Sequence, residues 1–254
     1  MFGFKRRRRR RLKDQPFPFE WAAILERNVP CYRALSPSEQ SKLQGHIQVF
    51  LDEKRFEGCA GLEITDEIRV TIAAQACMLL LHRQSDYYPR MQTIFVYPHR
   101  YPARSVGMDA SGIVTEANGP RLGESWYRGP VVLSWDDARK GAADARDGHN
   151  IVFHEFAHQL DSETGEHDGA PVLPRRSMYI AWARALGHDY RRLIDDIARD
   201  RKTVLDAYGA SDAAEFFAVA TEAFFEKPHQ MRKHTPELYE DCLLYTSPSP
   251  RDRS

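Results

Sequence analysis

The stretch IVFHEFAHQLD at residues 151–161 sets two histidines, His154 and His158, four positions apart, with Glu155 directly after the first. On an α-helix, side chains four apart lie one above the other, with Cβ atoms about 5–6 Å apart. Two imidazoles can therefore reach one point. Zinc takes such nitrogens at about 2.0–2.1 Å in a tetrahedral shell. Glu155 leans to the edge of that face, where it can reach a water at the metal without binding the metal. Two fixed ligands with a carboxylate beside an attacking water are the parts of a zinc hydrolase. Ile151, Val152, Phe153, Phe156, Ala157 and Leu160 would bury the helix and hold the histidines still. The plainer reading is a buried helix whose histidines only hydrogen-bond, so the motif needs support from elsewhere in the chain.

A catalytic zinc site needs a third protein ligand and one open position. SDAAEFFAVATEAFF at 211–225 is a helix candidate with Ser211 or Asp212 as its cap and Phe216, Ala220 and Phe224 along one apolar stripe. Glu215 and Glu222 on it are seven apart and share a face. An acid on an apolar helical face is costly unless paired or metal-bound. Spacing does not separate the two: one could ligate while the other supports a histidine. Asp161, three past His158, could accept a hydrogen bond from a ligand imidazole or cap a neighbouring segment. The remaining eight histidines lack ligand spacing to one another and read as surface or satisfied polar residues.

These groups must be positioned by an α+β fold: a mostly helical single domain with a small β-sheet beside the histidine helix. PFPFEWAAILERNVPCYRAL (16–35) predicts a short helix ended by Pro30, and 36–56 a helix capped by Ser36 or Ser38, with Leu43, Ile47, Phe50 and Leu51 at helical spacing. ITDEIRVTIAAQACMLLLH (64–82) reads as a buried helix. TIFVYP (93–98), GIVTEAN (112–118) and GPVVLSW (129–135) read as strands. Helices are expected over 150–161, about 175–200 and about 211–226. Helices, then strands, then helices suit one α+β domain.

The formal net charge is zero, yet Lys5, Arg6 to Arg11 and Lys13 form a basic run. Residues 1–14 are expected to be a basic, disordered tail that repels itself. Without that run and the far C-terminus, the body carries a surplus of about nine acidic side chains, which argues against a nucleic-acid-binding core. No apolar stretch is long enough to span a bilayer, so no membrane partner is expected. Four cysteines without C-x-x-C spacing and the lack of an export signal point to the cytoplasm. CLLYTSPSPRDRS (242–254) resembles adapter-derived sequence read in frame and is expected to be non-native, leaving 15–241 as the domain that carries the zinc motif.

HEFAHQLD, SWYRGPVVLSW (125–135) and DAYGASDAAEFFAV (206–219) together resemble the Mlc titration factor A family, zinc metallopeptidases of the gluzincin type, from about Phe19 to Asp241. Three separated blocks agree in order. The resemblance implies His154, His158 and Glu215 as ligands of one Zn2+, deciding for Glu215 over Glu222, with Glu155 as general base. It aligns Tyr208 with a tyrosine near the metal, where a phenol could steady an oxyanion. The arginine run has no counterpart in that pattern. The implied activity is hydrolysis of a peptide substrate, of aminopeptidase type on short peptides. Glu155 would take the water's proton and pass one to the leaving amine. GPVVLSW, as an edge strand, would offer a backbone N–H or hold an extended peptide. The implied partner is a transcriptional repressor, Mlc, controlling sugar phosphotransferase genes, and binding it without turnover is the rival reading.

Overall fold

The computed structural model describes residues 2–83, 86–108, 114–121, 123–125, 129–165, 167–173 and 175–245. The chain begins with α1 (Phe2–Lys13), α2 (Phe19–Asn28), the single turn α3 (Pro30–Arg33) and α4 (Pro37–Glu53). Then come β1 (Arg55–Gly58), α5 (Asp66–Met78), β2 (Thr93–Tyr97), β3 (Tyr101–Met108), β4 (Val114–Arg121), β5 (Gly123–Ser125) and β6 (Val131–Ser134). The rest is helical: α6 (Trp135–Ala143), α7 (Ile151–Asp161), α8 (Met178–Ala198), α9 (Ala213–Glu226), α10 (Pro228–His234) and α11 (Pro236–Tyr245). The fold is α+β and mostly helical, as the element order implied.

Strands β1, β2 and β6 pair in parallel, and β5 adds antiparallel to β6, giving the order β1-β2-β6-β5. β3 and β4 form a separate two-stranded hairpin. Strand β6 therefore lies inside the sheet with all four of its residues buried, and GPVVLSW is not an edge. Its outer flank is taken by β5, a short segment that carries no strand signal in the sequence.

Caps set the helix starts. Ser36 and Glu39 form a reciprocal capping box on α4, Thr65 caps α5, and Asn150 caps α7 by accepting from the backbone of Val152 and Phe153. Helix α5 is buried on nearly every face, as its composition predicted. Phe156 of α7 meets Tyr88 edge-on at 4.8 Å and Phe50 of α4 at 5.8 Å, while Phe153 stacks on Phe225 of α9 at 4.8 Å. Each such buried ring contributes about 1.5–3 kcal/mol. The motif helix is thus gripped from both sides by its own phenylalanines.

Two expectations about the ends need correction. Residues 2–13 form a helix docked on α4. Arg9 donates to both oxygens of Glu53 at 2.7 Å, Arg8 to Asp52 at 2.8 Å and Lys5 to Asp86 at 3.2 Å. Leu12 packs against the core. At Gly45 on α4 an added Cβ would stand 3.2 Å from the Lys13 side chain, so a glycine there lets the two helices approach. The acids of α4 supply the counter-charge that the basic run lacks locally. At the other end, α11 does not stop at Asp241. Leu238, Tyr239 and Cys242 are buried and Leu243 packs beside them, one apolar face at helical spacing. Cys242 and Leu243, read from the sequence as part of a non-native tail, thus pack with the rest of α11, and residues 246–254 lie outside the described part.

Candidate metal centre

Helices α7 and α9 pack against each other and carry the chemistry. His154 Nε2 and His158 Nε2 are 3.3 Å apart, and Glu215 Oε2 lies 3.0 Å from the first and 3.5 Å from the second. A tetrahedron with spokes of about 2.0–2.1 Å has edges of about 3.3–3.4 Å. The three atoms are spaced as one face of such a shell. Oε2 of Glu215 is buried yet accepts no hydrogen bond of proper geometry. A buried carboxylate oxygen in that position is costly without a cation, so the donor set fits a metal. His154, His158 and Glu215 form the cluster of His, Cys, Asp and Glu side chains able to hold an ion among the described residues.

Glu222, the other acid on α9, takes a different position. Its Oε2 accepts from Nδ1 of His154 at 3.1 Å, and its Oε1 accepts from the backbone N–H of Asn150 at 2.7 Å. A carboxylate can only accept, so Nδ1 carries a proton and Nε2 is the nitrogen that faces the cluster, where it can lend its lone pair to a metal that displaces a proton there. Asn150 is also the cap of α7. One carboxylate thus ties the start of the helix to the orientation of its first histidine. Asn150 and this double use of Glu222 were not foreseen. The available signal was an asparagine just before an apolar helical run.

Electrostatics follow from burial and from four acids. Burial opposes charge on His154, but Glu215, Glu222 and Glu155 outweigh it and hold the imidazole's proton affinity well above the usual. Burial would lift the Glu215 carboxyl, but the two imidazoles pull it far below the ordinary range. Glu155 is only 3% exposed beside His154. Three turns on from Glu215, Glu226 accepts from the backbone N–H of Gly148 at 2.9 Å. Burial pushes its carboxyl up to about 8, with a side-chain bond to Asn150 opposing and the charges of Asp147 and Glu222 adding to the rise.

Asp161 caps a segment: its Oδ1 accepts from the backbone N–H of Ala170 at 3.0 Å. Burial pushes its carboxyl up to about 6. The loop it holds passes Gly169, whose φ of +75° suits glycine and where an added Cβ would stand 2.4 Å from the carbonyl oxygen of Ala213. That contact fixes the loop against the first turn of α9, two residues before Glu215. Tyr208 stands on a short 3-10 turn, Ala207–Ala210, opened by Asp206, which accepts from the Tyr208 N–H at 2.7 Å. Its ring centroid is 6.0 Å from that of His154, and the residue is 56% exposed. The sequence-predicted residues His154, Glu155, His158, Glu215 and Tyr208 are therefore brought to one place.

Residues 4–245 match the family described as glucose-regulated metallo-peptidase M90. The chain belongs to that family. The match includes the arginine run and extends through α11. An uncharacterised protein of Synechocystis is 42% identical over 239 residues, spanning 94% of this chain and 87% of the relative. Mlc titration factor A of Klebsiella pneumoniae strain 342 is 32% identical, spanning 89% and 85%, and that of Escherichia fergusonii 31%, spanning 85% and 82%. Membership in the M90 family implies a metal, and the His154–His158–Glu215 cluster is able to hold one. No described helix is long and apolar enough to cross a membrane.

Proposed function

We propose that this M90 member is a zinc-dependent peptidase of aminopeptidase type, with His154, His158 and Glu215 as ligands of one Zn2+. The observation that carries the reading is the convergence of two imidazole nitrogens and a carboxylate oxygen at 3.0–3.5 Å. Two nitrogens and one oxygen are a donor set suited to zinc, with one position left for substrate. Zinc, when bound, supplies a Lewis acid that makes water a better nucleophile and polarises a carbonyl. Glu155 takes the proton of the attacking water at its carboxylate and delivers one to the leaving amine nitrogen. The Tyr208 hydroxyl donates to the developing oxyanion. Three carboxylates, Glu155, Glu215 and Glu222, exceed the charge of one dication, and a net negative site favours peptides with a free α-ammonium group.

The names of the relatives favour a second reading: a metal-bearing protein that binds an Mlc-like transcriptional repressor without turnover. One experiment separates the two. Metal analysis of the purified protein is followed by assay on amino-acyl chromogenic substrates, with chelator and with zinc added back. The peptidase reading expects one zinc per chain, chelator-reversible hydrolysis, and a Glu155→Gln variant that keeps the metal and loses activity by about 10²–10⁴-fold. Wild-type protein that holds zinc and captures the repressor, with no hydrolysis on any peptide tested, would leave only the second reading.

A further inference from the structure

The docking of α1 uses only part of its charge. Lys5, Arg8, Arg9, Leu12 and Lys13 form the inward stripe, at helical spacing. The guanidinium of Arg9 also sits over the Tyr87 ring at 4.7 Å. Arg6, Arg7, Arg10 and Arg11 point the other way and are exposed. Among the described residues, Arg6, Arg7 and Arg11 have no ion pair, and Arg10 has only Asp14 of its own turn at 3.9 Å. Arg6 with Arg10, and Arg7 with Arg11, are like charges four apart, an arrangement that destabilises a helix. Apart from the Arg10–Asp14 pair, no described ion pair of the fold uses these four side chains, which leaves them available to a partner. Phe4 stands on the same outer side, three before Arg7, and is 80% exposed.

We propose that the outer face of α1 is a docking surface for an anionic phospholipid membrane. Four guanidiniums meet lipid phosphates while Phe4 enters the boundary between headgroups and acyl chains. A peripheral contact of this kind needs no spanning segment, and α1 is already fixed in place by α4, so no ordering cost falls on binding. Two features favour lipid over nucleic acid. An exposed phenylalanine among the arginines gains most from an acyl boundary, and the rest of the chain carries a surplus of acidic side chains that repels an extended polyanion. This inference is independent of the peptidase reading.

The test is co-sedimentation of the full chain with vesicles of phosphatidylcholine alone and of phosphatidylcholine mixed with phosphatidylglycerol, at low and high salt. Binding is expected only to the anionic vesicles and is expected to weaken with salt. Neutralising Arg6, Arg7, Arg10 and Arg11 together to Gln should lower partitioning by about fivefold per arginine, two orders of magnitude or more in all. Phe4→Ser should lower it by about tenfold and leave the salt dependence unchanged. Circular dichroism and melting of both variants should match the wild type, because the substituted side chains face outward. The proposal is overturned if wild-type protein ignores anionic vesicles at low salt, or if the quadruple variant binds them equally well. It is also overturned if duplex RNA is bound more tightly than the vesicles and Phe4→Ser has no effect, which would make this a nucleic-acid surface.

Discussion

Glu222→Gln tests the link between helix start and metal ligand with the smallest change of shape. The wild-type carboxylate accepts twice, from His154 Nδ1 at 3.1 Å and from the Asn150 backbone at 2.7 Å. Glutamine has one acceptor oxygen and one donor amide, so it can serve only one of the two. If its oxygen stays on Asn150, an NH2 group faces Nδ1. The imidazole must then carry its proton on Nε2, which blocks the lone pair needed for a metal. If the amide turns over, the Asn150 N–H is left buried and unpaired, costing about 1–3 kcal/mol of stability. Loss of a carboxylate behind a ligand histidine typically costs about 10–100-fold in metal affinity, about 1.4–2.7 kcal/mol. Competition against a chromophoric chelator reads the affinity, and melting of the metal-free protein reads the stability. The expected pattern is a weaker site together with a modest fall in apo stability. Unchanged zinc affinity in a folded Glu222→Gln protein would refute the reasoning, because the orientation of His154 would then not depend on the carboxylate.

Three further outcomes follow from burial. His46 is buried beside the Tyr87 hydroxyl, and burial, with Lys13 and Lys42 adding to it, pushes its pKa down to about 3. The unfolded value is higher, so its contribution to stability is present above about pH 6.5 and is lost as pH falls toward 3, at about 1.4 kcal/mol per unit; His46→Gln should flatten that acid limb in a series of chemical denaturation curves. Glu226 has the opposite sign: its carboxyl is raised to about 8, so folded protein holds a proton the unfolded chain releases, and stability should fall between about pH 4.5 and 8. Glu226→Gln should remove that slope, and an unaltered slope would show that this carboxyl titrates normally. Gly169→Ala should cost about 2–4 kcal/mol, since it combines a left-handed residue with a backbone clash at Ala213; a melt within error of wild type would mean the loop is free to shift.

Periodicity and caps made most of the helical frame legible, and Asn150, Thr65 and Asp212 stand one residue before helices that begin where the apolar pattern begins. Strand β1 was missed because the apolar spacing of α4 carries on into Phe56, while the chain turns extended at Lys54. Nothing local announces that switch. The Lys54 ammonium donates to the carbonyls of Tyr88 and Met91, a partner set more than thirty residues away. Helix α1 was misjudged for a related reason. Six consecutive arginines repel one another in isolation, and only Asp52, Glu53 and Asp86, distant in sequence, make the helix stable. In each case the deciding group is non-local, and a reading by neighbours does not contain it.

The ambiguity between Glu215 and Glu222 has a different origin. Seven residues on a helix advance about 10 Å along its axis, so one metal ion cannot bind both acids. A single imidazole ring set between them can touch both, because its two nitrogens face different ways. His154 does this: Nε2 lies 3.0 Å from Glu215 and Nδ1 3.1 Å from Glu222. The even spacing that left the two acids indistinguishable in the sequence is what lets one histidine contact both. What separates their roles is position along α9. Glu215, in the first turn, sits where His158 also arrives. Glu222, two turns deeper, meets the capped start of α7, where a backbone N–H is already waiting. The antiparallel run of α9 against α7 thus converts a seven-residue repeat into one cluster carboxylate and one orienting carboxylate.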